Sequence, residues 1–322
     1  MSVVKNQEPD GHNAGPTDPG GVTVSNRART TMREEMVAIR EIPEIRMCEP
    51  HRIAQALESR KPGELTKGDK LMIIACDHPA RGALGAGSDD MAMGSRIDVL
   101  ERCVEALSRP GVNGFLGTAD MIEDLALLGA LDGKLVYGSM NRVGLRGSKF
   151  EMDDQFNCYD PDGIEKARLD GGKTLTRICL EDSATASTLK ATSDAINAMS
   201  DRGLVTMIEP FMSKWVDGSV VNDLTPDAVI KSMAIASGLG RTSAYTWLKL
   251  PCVDDMERVM EAATLPSLIL GGEVSKDADA TLEKWHVALQ QPNVFGLVIG
   301  RSLLFPTDGD VTKAVDNTVE LL

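Results

Sequence analysis

The chain has 322 residues, 48 of them acidic and 34 basic, for a formal net charge of −14. Its 42% hydrophobic and 25% charged residues are the make-up of a globular protein with a large core, not of a disordered or fibrous one. The acidic balance argues against a nucleic-acid partner, since phosphate backbones attract basic surfaces, although a few local donors still suffice to hold one phosphate.

Residues 1–31 are rich in Gly, Pro, Asn, Asp and Thr and lack an apolar period, so they read as a flexible tail. Residues 32–69 are expected to form a helical N-terminal extension. Met36, Ile39, Ile42 and Ile45 fall at helical spacing, while Pro43 and Pro50 interrupt the run. Such a segment would cover the bottom of a barrel or mediate assembly. From residue 70 a rhythm of short apolar strand, loop and amphipathic helix sets in and continues to 322. The expected strands are 71–77, 113–117, 134–138, 174–180, 203–209, 244–250, 267–271 and 295–299. Helical patterns lie near 94–108, 120–130, 161–168, 184–201, 226–238, 253–263, 278–290 and 310–321. Eight such units predict an α/β protein, a (β/α)8 TIM barrel over 70–322, in preference to an open doubly wound sheet.

In a barrel of this kind the reacting groups sit at the C-terminal ends of the strands. Strand one ends in Asp77-His78, and Asn141-Arg142 follows strand three. Arg177 lies within strand four and Glu209 closes strand five. Gly271-Gly272 follows strand seven and Gly300-Arg301 strand eight. The sixth strand, AYTWLKL, is apolar, aromatic or β-branched except for Lys249. A lysine there either reaches solvent or sits in a cavity, where burial favours the neutral amine that a carbonyl needs to form a Schiff base. Alternation places Tyr245, Trp247 and Lys249 on one face, expected to be the barrel interior.

The glycine pairs after strands seven and eight match the usual barrel phosphate site, with Arg301 adding charge and the next helix its N-terminal dipole. Without a ligand they would simply be tight turns. Glu209 and Asp77 are candidates for proton transfer, or else caps and ion-pair partners. Arg177 would bind a substrate carboxylate or phosphate, or pair with Glu209 or Asp77. Asn141 and Arg142 are further candidate substrate contacts. His78 is the one histidine near a strand end, so no set of histidines converges and neither a metal nor another cofactor is expected. The six cysteines form no CxxC pair, which suggests a reducing compartment. With neither a secretory signal nor an apolar run long enough to span a bilayer, the cytoplasm is expected and a membrane partner is not.

With these residues in place, the chain resembles the class I aldolase superfamily of deoxyribose-phosphate, tagatose-bisphosphate and archaeal-type fructose-bisphosphate aldolases. The resemblance spans roughly 70–322. It rests on Asp77, Glu209, Lys249, Gly271-Gly272 and Gly300-Arg301. The stretches GTADMIEDL, GSMNR, IEPFM, SAYTWLKLP and VIGRSLLFP are similar to a bacterial branch associated with myo-inositol catabolism. That similarity implies a lyase cleaving 6-phospho-5-dehydro-2-deoxygluconate to dihydroxyacetone phosphate and malonate semialdehyde through Lys249, in an enzyme expected to be a homo-oligomer. The alternatives are a fructose- or tagatose-bisphosphate or deoxyribose-phosphate aldolase, and a phosphosugar isomerase without a Schiff base. The expected fourth strand carries Thr176, Arg177 and Leu180 where several relatives place a lysine or tyrosine, which leaves the proton-transfer partner open.

Overall fold

A computed structural model describes residues 37–68, 70–272, 274 and 277–322; the expected tail, 1–31, lies outside them. After a single 3-10 turn, two short helices follow, α1 (Ile42–Cys48) and α2 (His51–Ser59), parted at Glu49-Pro50. The break falls at Pro50, which fixes its own φ and restricts the residue before it, whereas Pro43 sits in the first turn of α1, where a missing N–H is tolerated. The extension is fastened to the barrel by polar contacts. Arg46 pairs with Glu123 and Asp124, each at 2.8 Å, and Arg60 donates to the carbonyls of Lys134 and Arg168 at 2.7 and 2.6 Å.

Eight parallel strands then close on themselves. They are β1 (Leu71–Cys76), β2 (Gly114–Gly117), β3 (Leu135–Ser139), β4 (Gly171–Ile178), β5 (Val205–Val216), β7 (Thr246–Pro251), β8 (Ser267–Leu270) and β9 (Val294–Ile299). Their order is β4-β3-β2-β1-β9-β8-β7-β5, and the β4–β5 pairing completes a TIM barrel. Between them lie α3 (Arg96–Leu107), α4 (Ala119–Leu127), α5 (Pro161–Lys166), α6 (Ala184–Ser200), α7 (Pro226–Ser237), α8 (Met256–Met260), α9 (Ala278–Leu289), α10 (Arg301–Leu304) and α11 (Val311–Val319). Several helices begin at a side-chain cap: Ser95, Asp160, Thr225, Asp277 and Asp310 each accept a backbone N–H from three residues on.

One strand was not expected. β5 runs past the barrel rim to Val216, turns at Asp217-Gly218 and returns antiparallel as β6 (Ser219–Asn222). Both turn residues have positive φ, 49° and 80°, the geometry that favours Asp-Gly in a two-residue hairpin.

Strand alternation splits the apolar residues into two cores. Met72, Ile74, Phe115, Val136, Ile208, Leu248, Leu250, Ile269 and Leu297 face the helices. Leu71, Ile73, Ala75, Leu116, Leu135, Tyr137, Met207, Leu268 and Val298 fill the interior, with Trp247 packed against them. Tyr137 and Trp247 are tilted partners 6.0 Å apart. This filling matters for what stands above it. Asp77 follows Ala75 by two residues, Ser139 follows Tyr137, Glu209 follows Met207 and Lys249 follows Trp247, so each polar group caps an apolar floor. Truncating Met207 or Leu268 to alanine would open a hole under that floor, at about 2–5 kcal/mol. Tyr245 does not share this face: β7 starts at Thr246, and Tyr245 lies exposed before it.

Candidate active site

Lys249 is 4% exposed and its Nζ lies 2.5 Å from Glu209 Oε1. The other oxygen of Glu209 pairs with Lys173 of β4, which in turn lies 3.3 Å from Asp77 Oδ2. The same Asp77 oxygen accepts from Ser139 Oγ at 3.1 Å and pairs with Arg142, whose Nε donates to Ser139 Oγ at 2.8 Å. The outcome is a buried row of alternating charge across the barrel, Arg142, Asp77, Lys173, Glu209, Lys249, with Asp77 and Arg142 just past the ends of β1 and β3 and the others on β4, β5 and β7.

Lys173 was missed by the sequence reading. The expected strand begins at 174, whereas Gly171, Gly172 and Lys173 all lie inside β4. A Cβ on Gly171 would fall 2.4 Å from the carbonyl oxygen of Val205, and one on Gly172 2.5 Å from Met140 Sδ, so close packing accounts for both. The corrected strand turns Lys173, Leu175 and Arg177 inward. Thr174 and Thr176 face outward, where Thr176 meets Thr192 of α6 at 3.2 Å. A lysine does therefore stand on the fourth strand.

Burial shapes the protonation of the row. It would raise the Glu209 carboxyl, but Lys173 first and Lys249 second outweigh it and hold Glu209 far below the usual carboxylate range. Burial pulls Lys249 below the ordinary lysine value against the pull of Glu209, with Arg142 and Arg301 adding to the lowering. Lys173 is lowered more strongly still, by burial and then Arg142. His78 stands beside this row, its Nδ1 3.9 Å from Asp77 Oδ1, and burial followed by Arg301 keeps its imidazole neutral.

The glycine loops lie on the far rim. Gly272 has φ +70°. A Cβ on Gly300 would sit 2.4 Å from the carbonyl oxygen of Ala75 and 2.9 Å from His78 Cε1, so the backbone there reaches the barrel mouth only without a side chain. A Cβ on Gly271 would crowd Ile299 at 2.6 Å. Arg301 Nη1 donates to Gly85 O at 3.1 Å, bracing the β9 loop against the segment after β1. The helix expected to aim its dipole at this rim, α10, is a single turn, so backbone N–H groups are the donors on offer.

Two expected substrate contacts are committed elsewhere. Asn141 donates to the carbonyls of Asp154 and Leu175 at 3.1 and 2.7 Å and accepts from Leu175 N at 2.7 Å, which fills its amide. Arg177 faces inward but forms a bidentate pair with Asp154, Nε at 2.8 Å and Nη2 at 2.7 Å, and also contacts Glu151. Its partners in this structure are the loop carboxylates Asp154 and Glu151 rather than Glu209 or Asp77. Arg142 by contrast enters the row of charges.

Residues 69–319 match the family described as Cgl0159-like. The chain belongs to that family. The crystal structure of Cgl0159 from Corynebacterium glutamicum is 50% identical, over 93% of this chain and 98% of that one, with a TM-score of 0.85. Comparison with curated protein sequences finds no match. The fold of this Cgl0159-like chain is shared with a Schiff-base-forming fructose-1,6-bisphosphate aldolase, 16% identical over 84% of this chain and 99% of that one, TM-score 0.58. It is shared equally with an archaeal fructose-1,6-bisphosphate aldolase whose catalytic lysine is bound covalently to the carbinolamine intermediate: 16% identical, 84% and 98% covered, TM-score 0.58. At that identity the likeness is one of fold. Among the described residues of the Cgl0159-like barrel, no His, Cys, Asp and Glu cluster is placed to hold a metal ion, and no helix is long and apolar enough to cross a membrane.

Proposed function

We propose that this barrel is a class I aldolase that cleaves a phosphorylated keto-sugar through an imine on Lys249. The observation that carries this reading is the buried triplet Lys249–Glu209–Lys173. It sets two amines of lowered basicity on one carboxylate, over an apolar floor and facing glycine loops suited to a phosphate. Neither feature alone would suffice, because buried ion pairs also serve structure.

In the proposed reaction the phosphate rests on Gly271, Gly272, Gly300 and Arg301. Neutral Lys249 Nζ attacks the neighbouring ketone, and the oxygen leaves as water after proton delivery from the Glu209–Lys173 pair. The iminium then draws electrons from the adjacent C–C bond. The hydroxyl proton on the departing carbon passes to a base on the Asp77–Lys173–Glu209 side, and that carbon leaves as an aldehyde. The remaining enamine is protonated at carbon, and water hydrolyses the imine to free the ketone and Lys249. The motif resemblance supports 6-phospho-5-dehydro-2-deoxygluconate as substrate, with C3–C4 cleaved. Dihydroxyacetone phosphate and malonate semialdehyde would then be the products. Fructose or tagatose bisphosphate and deoxyribose phosphate are the next substrates to try.

A second assignment keeps the reaction and exchanges the amines. Lys173 is the more deeply buried and more strongly shifted of the two, so it competes with Lys249 for the carbonyl. The function is tested by assaying the purified protein, with chelator present, against these phosphosugars. Dihydroxyacetone phosphate, formed directly or by isomerisation of the glyceraldehyde 3-phosphate that deoxyribose phosphate would release, is read through its reduction by a coupling dehydrogenase. Release from at least one substrate is expected; no carbon–carbon cleavage of any of them would sink the proposal.

A further inference from the structure

Between β3 and α5 the chain does not return directly to the helix. Residues 143–157 cross the mouth and are held there by charge. Arg81, after β1, donates from Nε to Gly144 O at 2.9 Å and lies 3.6 Å from Glu151. Arg177, on the inner face of β4, takes Asp154 bidentately and contacts Glu151 at 3.4 Å. Glu151 is 5% and Asp154 1% exposed, so these carboxylates are buried with their partners. Gly144 lies within the clasp, where a Cβ would fall 2.3 Å from Arg177 Nη2 and 2.5 Å from Asp154 Oδ1. Leaving the clasp, residues 157–159 run back along the exit of β3, with Asn157 N and Cys158 N bonded to Met140 O and Tyr159 N to Ser139 O. Asn157 Oδ1 accepts from Arg142 N at 2.7 Å, so the position of Arg142 is tied to the loop.

Strand order says which part of the mouth this covers. Around the barrel β3 stands opposite β8, and β4 opposite β9. The clasped loop therefore roofs the side facing away from the Gly271-Gly272 and Gly300-Arg301 rim. A ketose with its phosphate on that rim and its carbonyl at Lys249 extends toward the roof with the half that becomes the aldehyde.

We propose that residues 143–157 are a fixed roof over the aldehyde-forming half of the substrate. Glu151 and Asp154 are positioning residues that, by clasping Arg81 and Arg177, hold Arg142 against Asp77. The proposal rests on the aldolase reading for what lies under the roof, but not for the roof itself.

The test uses the full chain with Asp154→Asn and Arg81→Gln. The second variant cuts the clasp at its more exposed edge and keeps the experiment decisive if the first fails to fold. Two probes are compared. Dihydroxyacetone phosphate occupies only the phosphate half and is read by borohydride trapping. A full-length substrate, 6-phospho-5-dehydro-2-deoxygluconate or fructose 1,6-bisphosphate, is read by cleavage. Trapping should stay within about twofold of wild type. KM for the long substrate should rise about tenfold or more with a smaller change in kcat, as expected when positioning contacts are lost. Brief trypsin treatment, which reports the roof through exposed Arg146 and Lys149, should nick both variants and spare the wild type. Equal losses on both probes, unchanged KM, or nicking of the wild type at the variants' rate would overturn the proposal. If wild type traps no dihydroxyacetone phosphate and cleaves neither long substrate, the aldolase reading fails instead, and the trypsin comparison alone decides the roof.

Discussion

Lys173 and Arg177 lie four residues apart on the inner face of the same strand, both cationic and both buried. They belong to different machines. The ammonium of Lys173 is a point charge shared between Asp77 and Glu209, neither of which encloses it. The guanidinium of Arg177 is a planar fork, and Asp154 fills its two teeth. A shared proton donor can change partner during a reaction, whereas a bidentate pair is a fixture. The chemistry of the cation and the geometry of its carboxylate separate a candidate catalytic group from a structural one; burial does not, being nearly the same for both.

The comparison can be broken in several ways. The largest effect is expected outside the pair, at the end of the row: Lys249→Met should lower kcat on the order of 10^6-fold, the scale seen when a covalent nucleophile is deleted. Lys173→Met should lower it on the order of 10^2–10^4-fold, the range for a proton-transfer group, while the imine still forms on Lys249. If Lys173→Met also ended imine formation and Lys249→Met did not, the two amines would have to exchange roles.

Arg177→Met should act on stability. It strands Asp154 without its fork, at about 3–5 kcal/mol in denaturant unfolding, and Asp154→Leu added to it should recover most of that loss. A double variant no more stable than the single would contradict the fixture reading.

The smallest effect is a shift in pH dependence. Glu209 favours the charged form of Lys249, so Glu209→Gln should move the ascending limb of kcat/KM, along which Lys249 loses its proton, to lower pH than in wild type, where it already lies below the ordinary lysine value of 10.5. The sign for stability differs between the two groups. Glu209 titrates below its ordinary 4.5, so its contribution is present above that value and is lost only as pH falls through the lower folded value. Lys249 titrates below its unfolded value, so the unfolded chain binds the extra proton and stability rises with pH through the gap between the two.

These contrasts also mark what the sequence made legible. The eight strands came from short apolar runs recurring between helical patterns, and the inward aim of Lys249 from the alternation of side chains along its strand. Asp77 and Glu209 showed themselves as carboxylates ending apolar runs. Lys173 did not, because two glycines before it mimic a turn, and only the contacts of Val205 and Met140 explain why β4 admits no side chains there. The β5–β6 hairpin did leave a signal, the Asp217-Gly218 pair between Trp215-Val216 and Val220-Val221. The partner of Arg177 left none: Asp154 lies in an irregular loop, 23 positions upstream, and no periodicity links the two.

The central claim is most directly tested by reducing the wild-type protein with borohydride in the presence of dihydroxyacetone phosphate and mapping the modified peptide by mass spectrometry. A single adduct on Lys249, absent from Lys249→Met, is predicted. An adduct on Lys173 alone, or a protein that cleaves its substrate yet is never trapped, would contradict it.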